Sequence, residues 1–555
     1  MAVAHPSEKI TYDVIILGSG IAGTLLGTIL ARHGAKVLLL DAASHPRFAI
    51  GESTIPYTLV SIRTLAERYD VPELATIATF TGNTRAIGPR FGVKRHFGFL
   101  LHHEGQEQDP REANQFNTPK QLLHEAAHLF RQDTDSFLFN IAIARGCVAR
   151  QNFLVTDIDF DDTGVSVAGR DGEYRGRYLV DASGFRSPVA QKFGLREDPC
   201  RFKHHSRSIW NHSLNVTPTD DLFDHPRRLT PPVPWYQGTV HHMFERGWAW
   251  VIGFDNNKVS RNPLCSVGMT VDPRYYPKPD NLSPEEDFYE LAGRFPDIAR
   301  QFEGMKPVRE WTSTGRLQYS SSTTVGDRWL LLSHAAGFLD PLFSRGLSNT
   351  TEAVNVIAWR LLRAVKDGDF SADRFAYVDK LQQGLFDYND SLVNSAFISW
   401  TDYDLWSAVF RMWTTGANSG VLRLQRALSK YRADGREQHL LDLEKAAYPG
   451  LYWPDHDGFA ELYETMVKQC EAVEAGATTP REAADLLYDR LQSAPFVPKH
   501  FGFVERDVQF LHPDPVKFLR MLNWARKHGD PDTYDMIAVN GREVVKARLK
   551  GRKLF

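Results

Sequence analysis

Gly18, Gly20 and Gly23 fall in the segment Gly18-Ser-Gly20-Ile21-Ala22-Gly23, a spacing suited to a bound dinucleotide. The first glycine permits a tight turn, the second lets a pyrophosphate approach the backbone, and the third lets a helix pack closely on the preceding strand. Ile21 and Ala22 open that helix, whose unpaired N–H groups can face phosphate. Asp41 ends the next apolar run, where a carboxylate can hold ribose hydroxyls. The pattern therefore predicts a dinucleotide site on a βαβ unit built from Tyr12–Leu17, a helix to His33, and Lys36–Asp41.

Three later segments carry further candidate ligand groups. Phe48-Ala-Ile-Gly51-Glu52-Ser53-Thr-Ile-Pro56 follows the ribose strand, and Asp181-Ala-Ser-Gly184 ends a third apolar strand. Ser333-His334-Ala-Ala-Gly-Phe-Leu-Asp340-Pro341-Leu-Phe-Ser344-Arg345-Gly346 follows a fourth. With these motifs in this order, the chain resembles the flavin-dependent halogenases and the related group A flavin monooxygenases over about residues 10–365. The resemblance implies FAD as cofactor, with the four segments holding its ADP, pyrophosphate, ribityl chain and isoalloxazine. Arg131-Gln-Asp-Thr-Asp135-Ser-Phe-Leu138 is similar to the family's RxxxDxxL helix start, which places Arg131 near the cofactor. Gly247-Trp248-Ala-Trp250-Val-Ile252 resembles the WxWxIP signature, whose two tryptophans separate flavin from the distal chemistry. Backbone N–H groups of Arg345 and Gly346 would lie at the flavin pyrimidine edge, where they can stabilise reduced flavin or bind a halide.

The sequence also departs from that pattern. Halogenases of the family place a lysine about thirty residues beyond the Glu52 position; here that neighbourhood reads Ala78-Thr-Phe-Thr81-Gly-Asn, and no lysine occurs between Lys36 and Lys94. Lys94 lies in a strand-like segment that would have to reach the site by a different chain path. The signature proline is Gly253, and Ser333-His334 replaces the usual Gly-Asp pair. His334 can hydrogen-bond the ribityl chain, act in catalysis, or attach flavin covalently. Phe343 stands where tryptophan-type enzymes carry a carboxylate, which resembles the phenolic or carrier-tethered branch. These departures predict an oxidoreductase that hydroxylates or dehydrogenates an aromatic or carrier-bound natural-product precursor with dioxygen. The alternatives are a true halogenase using a displaced lysine such as Lys94, and a flavin-binding scaffold without turnover.

The elements that must position these groups are predicted to form an α/β protein. A Rossmann-like (GR2-type) FAD domain is assembled from residues 10–80, 121–200 and 323–370. Segments 81–120 and 201–322 supply an antiparallel substrate-binding sheet, and 371–555 a helical C-terminal region. The balance of 65 basic and 68 acidic residues gives no global field for nucleic acid or membranes. The basic run Arg542–Lys553 reads as a solvated helix end or tail. Four scattered cysteines, without CxxC spacing, argue against disulfides or zinc and fit a reducing cytoplasm. The pairs His102-His103, His204-His205 and His241-His242 read as surface or pocket residues rather than metal ligands, since neighbours on a strand face opposite sides. The expected partners are a small-molecule or carrier-tethered substrate and a separate flavin reductase.

Overall fold

The computed structural model describes residues 11–117, 125–223, 226–512, 514–529 and 531–549. Its first sheet is built on a parallel core. The strand Thr11–Leu17 pairs on one side with Val37–Leu40 and on the other with Gly172–Asp181. Trp329–Leu331 and Val148–Arg150 extend this parallel core outward. Val14, Ile15 and Ile16 are fully buried because both faces of the sheet are covered. Helices Ile21–Arg32, Arg131–Ala144 and Gly346–Asp367 share one apolar cluster with Val14 and Ile16. The strands Val155–Asp161 and Gly164–Gly169 form a meander whose apolar residues cluster with Ile15 and Leu17. Ligand-facing loops thus leave the carboxyl ends of parallel strands, the usual crevice of an open α/β sheet.

The second sheet has nine strands, with Arg207–Leu214, Cys265–Val271, Gly247–Gly253, Thr239–Phe244, His96–Leu101 and Ala113–Asn117 as its successive main members. It is mixed rather than purely antiparallel: Thr239–Phe244 runs parallel to His96–Leu101, and Phe510–Leu511 runs parallel to Ala113–Asn117. Long helices Ala376–Ser399 and Tyr403–Asp434 lie against it. Phe97, Phe99, Trp248 and Trp250 from the sheet share one core with Trp400, Trp406 and Trp413 from the helical region. A separate two-stranded ribbon, Gly92–Lys94 against Ala126–His128, sits between the sheets.

Among the described residues no helix is long and apolar enough to cross a membrane. All four cysteines are unpaired. Of the basic run at the C-terminus, Arg542 is exposed, and the side chains from Glu543 onward lie outside the described residues.

Candidate active site

The nucleotide end is shaped by backbone. Gly18 has φ +92°, and a Cβ there would lie 2.5 Å from the Ala182 carbonyl oxygen. A Cβ on Gly23 would meet the Gly18 carbonyl oxygen at 2.0 Å, so this turn closes only with glycine at both positions. Gly20 differs, because a Cβ there would meet nothing within 4 Å and would project into the space a pyrophosphate needs. Ile21 and Ala22 begin the helix beside it.

The structure gives Asp41 and Asp181 protein partners. Asp41 Oδ2 accepts from the Ser19 N–H and hydroxyl, each at 2.7 Å, while Oδ1 accepts from Ala43 N–H and from Arg47. Burial opposes ionisation of Asp41, but these donors hold its carboxyl below the usual range. It pins the glycine turn to the second strand. Asp181 likewise accepts from Ser183 N–H and, at 2.6 Å, from the Ser187 hydroxyl, fixing the loop that carries Gly184. Gly184 itself has φ +81° and open space where a Cβ would stand.

A cavity of about 320 Å³ lies between the sheets. It brings together Gly51, Glu52, Ser53, Arg131, His334, Asp340, Pro341 and Gly346 with Trp248 and Trp250. Arg131 forks onto Asp135 at 2.8 and 2.9 Å and donates to the Ile50 and Gly51 carbonyls, which holds the Gly51 loop against the helix start. Glu52 is buried and paired with His212, so its role is to brace that loop. Asp340 accepts from His204 and Ser206, both at 3.1 Å. The His334 ring opens onto the cavity, and its enclosing walls, with Arg131 nearby, push its pKa down to about 4. Trp248 and Trp250 lie on one face of their strand with ring centroids 5.6 Å apart, and Gly268 beneath leaves room for the Trp250 ring. Open space at Gly20 and this elongated cavity fit an extended dinucleotide carrying a tricyclic ring.

Arg345 does not point into this cavity. Ser344 and Gly346 line it, while the Arg345 side chain turns to the other side and lies over the Tyr452 ring at 3.8 Å. Phe343 is buried against Trp413, 4.8 Å between centroids, which explains an aromatic residue there. Gly253 also has a packing reason: a Cβ would meet the Tyr236 ring at 2.6 Å, leaving no space for proline.

Behind Ser53 and Ser344, which line the cavity, stands the lysine that the sequence offered only for the alternative reading. Lys94 is 2% exposed; its amine donates to the Ser53 hydroxyl, lies 3.5 Å from Ser344 Oγ and sits 3.5 Å from the centre of the Phe97 ring. The different chain path exists. Gly92–Lys94 is clamped on one edge by Ala126–His128 and on the other by Asn256, which accepts from Val93 N–H and donates to Val93 O, both at 2.8 Å. No carboxylate neutralises Lys94 among the described residues, and burial pushes its pKa well below that of an ordinary lysine.

The hydrogen-bond polarity around Lys94 follows from one carbonyl. Gly253 O can only accept, so His128 Nδ1, 3.0 Å away, carries the ring proton and Nε2 is an acceptor. Burial pushes the His128 pKa down to about 3, so the ring is neutral. Thr239, 3.1 Å from Nε2, spends its single proton there, and Ser53, 2.8 Å from Thr239, must donate to Thr239. Ser344 donates to Ser53 at 2.9 Å. Both serine protons are therefore directed away from the amine, whose lone pair neither serine engages.

The histidine pairs need correction as surface groups. His102, His204, His241 and His242 are buried; His102 and His242 bond to each other at 2.9 Å, and His241 lines the cavity. Among the described residues no group of three or more His, Cys, Asp or Glu side chains could hold a metal ion. His128 and Thr239 are the site members that motif reading passed over; Lys94 was held only as the displaced lysine of the alternative, and Ser344 stood unremarked within the Ser333–Gly346 segment.

Comparison with known proteins agrees with this geometry. The FAD binding domain family matches residues 11–227. The chain is 49% identical over 534 residues to tetracycline 7-halogenase of Kitasatospora aureofaciens, covering 96% of each. It is 44% identical over 502 residues to monodechloroaminopyrrolnitrin halogenase PrnC of Pseudomonas fluorescens, covering 90% of this chain and 88% of the relative. The crystal structure of halogenase PltM in complex with phloroglucinol and FAD superimposes with a TM-score of 0.86 at 32% identity, over 90% of this chain and 99% of that one.

Proposed function

The chain belongs to the flavin-dependent halogenases, FAD-dependent enzymes, and from that premise we propose that it halogenates a free, electron-rich aromatic small molecule through Lys94. This replaces the expectation of hydroxylation or dehydrogenation, which rested on the missing lysine at the Thr81 neighbourhood. The observation that carries the reading is Lys94 itself: a buried amine without a carboxylate partner among the described residues, in contact with Ser53 and Ser344 on the wall of the cavity.

Bound reduced FAD, with dioxygen and halide, supplies hypohalous acid. The chain's residues do the rest. Gly18, Gly20, Gly23 and Arg131 shape the cofactor's seat, and the N–H groups that open the helix at Gly346 suit a halide. Trp248 and Trp250 wall the passage inward. Burial pushes the Lys94 pKa well down, which favours the neutral amine, and the Ser53–Thr239–His128 chain leaves its lone pair free. The amine takes halogen from hypohalous acid with release of water, then hands it to a ring carbon as the arene C–H becomes C–X and the nitrogen regains its proton. Confinement between flavin and acceptor prevents diffusion of free oxidant. A separate flavin reductase supplies reduced FAD, and the unpaired cysteines suit a reducing cytoplasm. A free acceptor is favoured over a carrier-tethered one because the relatives sharing 49% and 44% identity are named for tetracycline and monodechloroaminopyrrolnitrin.

The test is product analysis with FAD, a reductase, and chloride or bromide. Wild-type protein gives halogenated product, and Lys94→Met gives none while still binding FAD. Oxygenated product alone, or halogenation by the variant, would overturn the reading.

A further inference from the structure

On the sheet side the flavin cavity is walled by Trp210, Trp248, Trp250 and Ile252, with Thr239 and His241 between them. His241 stands opposite Trp250 on one neighbouring strand and opposite Phe99 on the other. Its ring stacks on Phe99, 4.5 Å between centroids, and tilts against Trp248 at 5.2 Å. These contacts fix the plane of an imidazole that is only 1% exposed.

The protonation of that ring follows from one carbonyl. Gly98 O can only accept, so His241 Nδ1, 2.9 Å away, carries the proton and Nε2 holds the lone pair. No described residue bonds to Nε2. Nor is it sealed: His96, His102 and His242 each have one ring nitrogen enclosed without a partner, whereas His241 has none. Its free nitrogen therefore opens onto the cavity that the ring lines. The other polar groups of this wall are engaged. Ser208 donates to Met269 O at 2.9 Å, Ser266 accepts from Trp250 Nε1 at 3.2 Å, and Thr239 accepts from Ser53 and donates to His128. Burial pushes the His241 pKa down to about 3, against the Gly98 contact and with the help of the nearby Lys94 charge, so the ring is neutral.

We propose that His241 is the docking point for hypohalous acid: Nε2 accepts the O–H of HO–X and so turns the halogen end toward the Lys94 side of the wall. The proposal rests on the reading that Lys94 receives that halogen. The chemistry of the site selects this ligand. A halide ion has no proton to give and would meet a lone pair, whereas hypohalous acid is a small neutral donor with its electrophilic atom at the other end. Position agrees. Thr239 and His241 are two residues apart on one strand and so share its cavity face, about 7 Å from each other. Thr239 is bonded to Ser53, and Ser53 receives the Lys94 amine.

The step balances without another reactant. The amine nitrogen bonds to halogen as the O–X pair leaves with oxygen, whose hydrogen stays bonded to His241 Nε2. That oxygen then takes one amine proton and departs as water. One N–H and one O–X become one N–X and one O–H, and His241 ends with the proton it began with.

The test is a single turnover of FAD-loaded, reduced protein with dioxygen and bromide, in the presence of aminodextran. Its amines capture escaped hypobromous acid, and the polymer is too large to enter the cavity. His241→Phe keeps a stacked ring and removes the acceptor. It should bind FAD and reoxidise it at the wild-type rate, yet lose about 3- to 10-fold more bromine to the dextran, the scale of one neutral hydrogen bond. His241→Gln, which keeps an acceptor, should recover part of the retention. Wild-type retention by His241→Phe, slowed flavin reoxidation in it, or equal leakage from the glutamine variant would overturn the docking point. Failure of the Lys94 reading looks different: Lys94→Met would then give full halogenated product, while the leakage of His241→Phe against wild type still decides the role of His241.

Discussion

At Gly18–Gly23 the surface that meets the ligand is backbone, supplied by six consecutive residues on one βαβ unit. At Lys94 it is side chains brought from remote parts of the chain: Ser53 and Ser344 are 291 residues apart in sequence, yet their hydroxyls lie 2.9 Å apart. The contrast follows from what each end binds. A pyrophosphate is held by N–H groups and close approach, which only a local glycine turn provides. A buried reactive amine needs several oriented partners, which only the register of non-adjacent strands can deliver.

The sharpest way to break this comparison is Gly20→Val. A side chain there has open space in the protein, so folding should proceed as in the wild type, while FAD binding is lost. Thermal unfolding and flavin absorbance check the two halves separately; a variant that unfolds, or one that binds FAD normally, would remove the distinction drawn for the nucleotide end. At the amine end, His128→Phe deletes the acceptor that sets the hydrogen-bond polarity. Thr239 can then donate to Ser53, and Ser53 to the Lys94 lone pair. Turnover should fall about 10- to 100-fold, the scale of a misoriented reacting group, with FAD affinity unchanged. Unchanged turnover in stopped-flow assays would leave His128 as packing alone.

A smaller effect concerns pH. The folded-state pKa of Lys94 lies below its unfolded value of 10.5, so between the two the unfolded chain binds more protons and stability rises with pH. Lys94→Met should therefore unfold at higher denaturant concentration at neutral pH and show a flatter dependence on pH above neutrality. Wild-type halogenation should fall as pH drops through the folded-state pKa. Denaturant titrations at several pH values test the first claim, and a less stable variant would contradict it. The smallest effect expected is from Asp41→Asn. It would loosen the turn by weakening the Ser19 and Arg47 contacts, and reduce FAD affinity by about 1–3 kcal/mol.

Legibility in the sequence divides along the same line. The parallel strands, their order in the chain and the cofactor followed from glycine spacing and apolar runs, because those signals are local. Lys94 was visible as a residue but misread in position, since the ribbon that carries it depends on pairing with Ala126–His128 and on the Asn256 clamp. Arg345 was read for its backbone N–H, and its side chain proved to face the opposite cavity. Asp41 and Asp181 were read as ligand groups, and their oxygens also brace loops. A carboxylate at a strand end looks the same in sequence whether it meets a ribose or the next turn. Buried histidines such as His128 carry no pattern at all, because one ring's partners are chosen entirely by tertiary register.

The most direct measurement is a single turnover with bromide in the absence of acceptor, followed by rapid digestion and mass spectrometry of the Lys94 peptide. The account predicts replacement of one hydrogen by bromine at Lys94, and its disappearance, with formation of brominated product, when an acceptor is added. Brominated product formed at the wild-type rate and with the same regiochemistry by Lys94→Met would contradict it.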